Sequence, residues 1–162
     1  MAKKNILFIM CDQLRYDYLG CTGHPTIKTP NIDALAARGV TFSNTFCQSP
    51  ICGPSRASIY SGRYISSHGT CSNHAPLRIG EKNIGDHLNP LGVRTILVGK
   101  SHINGDSEGM QRLGIDPMGS VGQNHGQAGF EIFERDDGIH LDDKVRSDLP
   151  YNVYLKSKGY TE

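Results

Sequence analysis

The sequence predicts an α/β fold, a sandwich with a largely parallel central sheet flanked by helices. Two observations carry this. Short continuous apolar runs at 6–10 (Ile6-Leu7-Phe8-Ile9-Met10) and inside 94–99 (Thr95-Ile96-Leu97-Val98) read as strands buried on both faces. Segments with helix start and stop chemistry lie between them, and alternation of this kind builds a sheet covered by helices.

Each element has its own signal. Thr29-Pro30 has the form of a helix start. Ile32, Leu35 and Ala36 then share one face, and Gly39 stops the helix. Residues 40–46 alternate apolar and polar, which predicts a second strand. Residues 48–53 read as a loop, after which Pro54 opens a short helix ending near Gly62. Residues 69–80 are irregular. Asn83, with Asp86 three residues on, predicts a capped helix reaching Leu91, its last turn frayed by Pro90. Residues 130–133 predict a strand, and 151–158 a helix closed by Gly159. In open α/β sheets the sites gather at the carboxyl ends of strands. Asp12-Gln13, Cys52 and Lys100-Ser101-His102 are therefore expected to share one rim.

The chain has 162 residues and a formal net charge of +1. It is long enough for one ordinary domain with a real core. The near-neutral balance argues against nucleic acid or an anionic membrane as partner. The five cysteines are odd in number and include no Cys-x-x-Cys pair, which argues against a disulfide framework or a zinc knuckle and suits a cytoplasmic setting. The start of the chain has too short an apolar run for a signal peptide, and no run is long enough to span a bilayer.

Cys52 stands at the opening of a helix. There the positive end of the helix dipole favours negative charge on or beside it, and Arg56, one turn in, could hold an oxyanion. By itself the position is equally that of an ordinary loop cysteine. Asp12, Gln13, Asn73, Lys100 and His102 likewise have ordinary readings as turn formers, solvated charges or a structural histidine. Gly99-Lys100-Ser101 resembles the end of a phosphate-binding P-loop, but Arg94 stands where that motif needs Gly.

Cys52-Gly53-Pro54-Ser55-Arg56 resembles the recognition sequence for cysteine-to-formylglycine conversion in the sulfatase family of the alkaline phosphatase-like superfamily, and 57–63 continue the likeness. Residues 5–13, His24-Pro25, 29–40 and Gly99-Lys100-Ser101-His102 follow that family's order. Asp12-Gln13, Asn73-His74-Ala75-Pro76-Leu77-Arg78 and Asp136-Asp137-Gly138-Ile139-His140 are similar to its phosphonate monoester hydrolase and phosphodiesterase branch, whereas Lys100-x-His102 is a sulfatase pattern.

The resemblance implies a metal-dependent hydrolase of sulfate esters or of phosphate and phosphonate esters. One hydroxyl of hydrated formylglycine, made from Cys52, attacks sulfur or phosphorus, and the other releases the product. The implied metal is divalent (Ca2+, Mn2+ or Mg2+), with Asp12, Gln13 and the converted Cys52 as ligands. Arg56 would brace the nucleophile and Lys100 neutralise the transferring group. His102 would accept a proton, and Asn73 would touch the substrate. The implied partners are a small-molecule ester and a formylglycine-generating enzyme, with a homo-oligomer open to the full-length protein. Residues 1–162 would form the N-terminal part of the catalytic domain, since the family's second metal-ligand pair and a further Lys and His lie later in its chains. Two other readings stay open: a truncated, non-catalytic fragment of such an enzyme, and a phosphate-binding module using Lys100-Ser101.

Overall fold

The computed structural model describes residues 4–137 and 149–160, so residues 138–140 of the segment quoted at 136–140 lie outside it. The chain divides into two compact units, one up to Cys47 and one from Gln48 onward.

In the first unit, 3-10 turns at Tyr16–Tyr18 and Gly20–Thr22 precede helix α1 (Pro30–Arg38). Pro30 sits in the first turn as expected, but Thr29 does not cap through its side chain. Its hydroxyl instead donates to Asp33 Oδ1 at 2.7 Å and accepts the Gly20 N–H at 2.8 Å, while Cys21 N–H donates to the same Asp33 oxygen at 2.7 Å. One carboxylate thus ties the Gly20–Thr22 turn to α1. The expected strands at 6–10 and 40–46 do not form, and Ile6 is 91% exposed. An apolar run states a need for burial, but a strand exists only where a neighbour supplies ladder hydrogen bonds. Neither segment has that ladder among the described residues.

The second unit holds α2 (Cys52–Ser61), α3 (Ile65–His68), α4 (Ile84–Leu88), β1 (Ile96–Gly99), α5 (Ser107–Arg112), α6 (Ser120–Gly126), β2 (Glu131–Arg135) and α7 (Pro150–Ser157). Asn83 caps α4 in the expected box: its side chain accepts from Gly85 N and Asp86 N, and Asp86 accepts from Asn83 N. Pro90, which lacks an N–H, coincides with the change to a 3-10 turn at Asn89–Leu91, closed by Gly92 with left-handed backbone.

β1 and β2 form a two-stranded parallel sheet. The pairing runs Ile96 to Glu131 and Leu97 to Ile132, then skips to Val98 opposite Glu134 and Gly99 opposite Arg135. Phe133 is the extra residue of this bulge and is 78% exposed. Past the bulge, Asp136 N–H donates to Gly99 O at 3.1 Å, so the chain after β2 runs beside the chain after β1.

Among the described residues, Ala57, Tyr60, Leu77, Leu97, Ile103, Met110 and Ala128 form the buried hydrophobic core. α4 approaches the chain before β2 too closely for any side chain between them, since a Cβ on Gly85 would lie 2.2 Å from Gly129 O. The described fold is α/β with parallel pairing, as the sequence predicts.

Candidate active site

Helix α2 begins at Cys52, two positions earlier than Pro54 suggests, so Pro54 occupies the first turn, where a missing N–H costs nothing. Ile51, at the N-cap position, has no side-chain oxygen. Asn73, from a turn later in the chain, supplies one: Gly53 N–H donates to Asn73 Oδ1 at 2.9 Å. The other end of the same amide, Nδ2, donates to Cys52 Sγ at 3.7 Å. Asn104 Nδ2 donates to Asn73 O at 2.6 Å and fixes the turn. Gly53 keeps the space open, because a Cβ there would lie 3.0 Å from Asn73 Oδ1 and 3.5 Å from His102 O.

Arg56, one turn along α2, is 5% exposed. Its Nη1 donates to Lys100 O at 2.5 Å, joining the helix to the turn after β1. Lys100 is half-buried and His102 is 8% exposed. His102 takes a left-handed backbone with φ +49°, an uncommon state for a residue with a Cβ. Asp137 accompanies this conformation: its Oδ1 accepts Ser101 N–H at 2.8 Å and His102 N–H at 3.0 Å. Arg135 grips its other oxygen from Nε at 3.0 Å and Nη2 at 2.6 Å, and also donates to Ile103 O at 3.2 Å. Burial pushes the Asp137 carboxyl up, but the Arg135 guanidinium and the His102 and Ser101 N–H groups outweigh it and hold it below the usual carboxylate range.

A second buried pair anchors α2. His68 Nδ1 accepts Thr70 N–H at 3.1 Å, so the ring proton sits on Nε2 and is donated to Ser58 Oγ at 2.9 Å. Ser58 is therefore an acceptor here, and His68 is not poised as its base.

Cys52, Arg56, Asn73, Lys100 and His102 thus belong to one connected set in the second unit. Asp12 and Gln13 lie in an exposed turn of the first unit, with Gln13 at φ +51°. The Asp12 carboxylate and the Gln13 amide offer three oxygens of the hard kind that a divalent cation takes, fewer than the six or so it needs. Among the described residues no group of three or more His, Cys, Asp or Glu converges on one point. Asp12 and Gln13 do not by themselves make a metal centre. A cavity of about 630 Å³ lies at the amino ends of β1 and β2, lined by Thr95, Gly129 and the Arg94–Glu131 ion pair, and does not include this set. Asn104, Arg135 and the clamping role of Asp137 were missed by sequence reasoning. The available signal was position, since Asp137 directly follows a strand end.

Residues 4–144 match the family model described as Sulfatase. The chain belongs to the sulfatase family. It is 41% identical over 102 residues to an ulvan-active sulfatase of Formosa agariphila, covering 62% of this chain and 20% of that protein. To an arylsulfatase of Clostridium perfringens it is 38% identical over 102 residues, covering 62% and 21%. Among solved structures, the phosphonate monoester hydrolase of Agrobacterium radiobacter superposes with a TM-score of 0.69 at 30% identity, over 91% of this chain and 27% of that one. The phosphonate monoester hydrolase from Silicibacter pomeroyi gives 0.74 at 27% identity, over 99% and 30%. This sulfatase-family chain spans about a fifth of the length of the curated relatives it matches.

Proposed function

We propose that this chain carries the nucleophile-bearing part of a hydrolase of sulfate esters or phosphate and phosphonate esters. The carrying observation is the placement of Cys52 at the first position of α2, with the Asn73 amide on its sulfur and Arg56 of the same helix bonded to the Lys100 carbonyl. Formylglycine at position 52 would supply the nucleophile when formed. A divalent cation goes with the same reading, and Asp12 and Gln13 offer it oxygens. The chain's own residues do the rest. The N-terminus of α2 favours the anionic group of the ester. Lys100 neutralises charge on the transferring group, and His102 takes up a proton at its ring. Arg56 keeps the turn carrying both of them against the helix. The setting proposed is cytoplasmic, on the cysteine pattern.

The test is production of the chain with a formylglycine-generating enzyme, followed by the mass of the tryptic peptide 39–56 and assays on an aryl sulfate and an aryl phosphonate monoester. Aldehyde in place of the Cys52 thiol together with turnover of either ester is expected. Unmodified Cys52 beside a converted control peptide would overturn the mechanism. The alternative reading is a non-catalytic fragment of such an enzyme. Conversion of Cys52 without turnover of either ester would select it.

A further inference from the structure

We propose that Asp137 is the positioning residue of the turn at 100–102: its carboxylate fixes the backbone of Ser101 and His102 and so sets where the Lys100 and His102 side chains stand. Its catalytic consequence rests on the hydrolase reading above, while its structural content does not.

Three observations converge on it. The turn needs an external hold, because His102 has φ +49°, a left-handed conformation that is unfavourable for a residue with a Cβ. Asp137 Oδ1 supplies that hold by accepting two successive N–H groups, at 2.8 and 3.0 Å, the arrangement in which one carboxylate oxygen dictates the backbone between them. The carboxylate is itself immobilised, since Arg135 binds Oδ2 through two nitrogens and reaches on to Ile103 O, directly beyond the turn. The bulge at Phe133 brings this apparatus to the turn, by setting Arg135 opposite Gly99 and the chain after it alongside residues 99–102. In this turn Asp137 accepts the backbone N–H groups of Ser101 and His102, so its effect on chemistry passes through Lys100 and His102.

The first arm of the test is amide hydrogen exchange by NMR on the 162-residue chain, comparing the parent with Asp137→Ala and Arg135→Gln. The Glu131 amide, which donates to Thr95 O at 2.8 Å in the strand pair, reports on the fold. In Asp137→Ala, exchange at Ser101 and His102 is expected to rise about tenfold or more relative to Glu131, the equivalent of losing hydrogen bonds to a charged acceptor. Arg135→Gln, which leaves the carboxylate in place but ungripped, gives a smaller rise at the same two amides and serves alone if Asp137→Ala does not fold. Unchanged protection at Ser101 and His102, or loss only in step with Glu131, overturns the proposal.

The second arm compares kcat and KM of Asp137→Asn and Asp137→Glu at equal Cys52 conversion. Asn is expected to lower kcat by roughly a hundredfold with KM little changed, and Glu to recover part of it. If the parent protein hydrolyses neither ester, the hydrolase reading fails and the exchange arm still decides the clamp. If the parent is active and Asp137→Asn keeps its kcat, the catalytic consequence of the clamp is refuted.

Discussion

The side-chain amide of Asn73 donates to Cys52 Sγ at 3.7 Å while its oxygen accepts the N–H of Gly53, so one residue from a distant turn both caps helix α2 and touches its first side chain. The two tasks separate by substitution. Asn73→Ala loses both and is expected to cost about 1 kcal/mol, as loss of a cap does, or roughly 2–4 °C in Tm for a chain of this size. Asn73→Asp keeps the acceptor for Gly53 but replaces the donor to sulfur with negative charge. It should unfold near the parent temperature while slowing alkylation of Cys52 by iodoacetamide. Equal losses of Tm in both variants would refute the division.

The contact between α4 and the segment before β2 is one of backbone on backbone. A Cβ on Gly85 would meet Gly129 O at 2.2 Å and its Cα at 2.6 Å, and Gly129 O already accepts from Asn89 Nδ2 and Thr95 Oγ1. Gly85→Ala must therefore push main chain apart, and an overpacking cost of roughly 1–3 kcal/mol is expected. At Gly53 the nearest atoms to a new Cβ are Asn73 Oδ1 at 3.0 Å and Asn73 Cα at 3.3 Å, a much smaller overlap than at Gly85. Urea midpoints should fall further for Gly85→Ala than for Gly53→Ala.

What was legible in the sequence followed how local each feature's cause is. The cap box of Asn83 and Asp86 and the stop at Gly62 depend on residues within a turn of each other and stand where the sequence puts them, whereas the helix expected to reach Leu91 ends at Leu88 and gives way to a 3-10 turn over Asn89–Leu91. The motif at 52–56 and the segment at 99–102 were legible as patterns, and the structure joins them through Arg56 and Lys100 O. The apolar run at 6–10 and the alternating segment at 40–46 were misread as formed strands because their ladder partners are not a local property. α5 and α6 were missed because Gly109 and Gly122 weaken their helical pattern, yet both glycines are buried against neighbours that leave no room for a Cβ. The Asp137 clamp depends on the bulge at Phe133, which no period-two reading of residues 130–133 contains.

Peptide 39–56 contains Cys47 as well as Cys52, which gives the chemistry an internal control. Cys52 is half-buried at the start of α2, while Cys47 is exposed and outside any helix. Cys52→Ser is expected to abolish the change of peptide mass on exposure to a formylglycine-generating enzyme and to reduce ester hydrolysis to background. Cys47→Ser should leave both as in the parent. Aldehyde formation that persists in Cys52→Ser would move the reactive position away from the helix start.

The His68 pair makes stability depend on pH. His68 is 0% exposed, and burial pushes its imidazole below the ordinary value of 6.5, with Glu81 opposing and Arg63 reinforcing the shift. The hydrogen bonds require the same direction, because a proton on Nδ1 would face the N–H of Thr70, also a donor. A histidine with a lowered folded value binds its proton more readily in the unfolded chain. The stability it contributes is therefore fully present above about pH 6.5 and is lost as pH falls below that, with a slope of at most ~1.4 kcal/mol per pH unit. The urea midpoint of the parent should drop between pH 7.5 and 5.5 more than that of His68→Gln, which carries no titrating ring at this place. His68→Gln should start from a lower midpoint at pH 7.5, since the exchange disturbs bonds to Ser58 and Thr70 inside a closed site. Parallel pH profiles for the two proteins would place the acid sensitivity in another group.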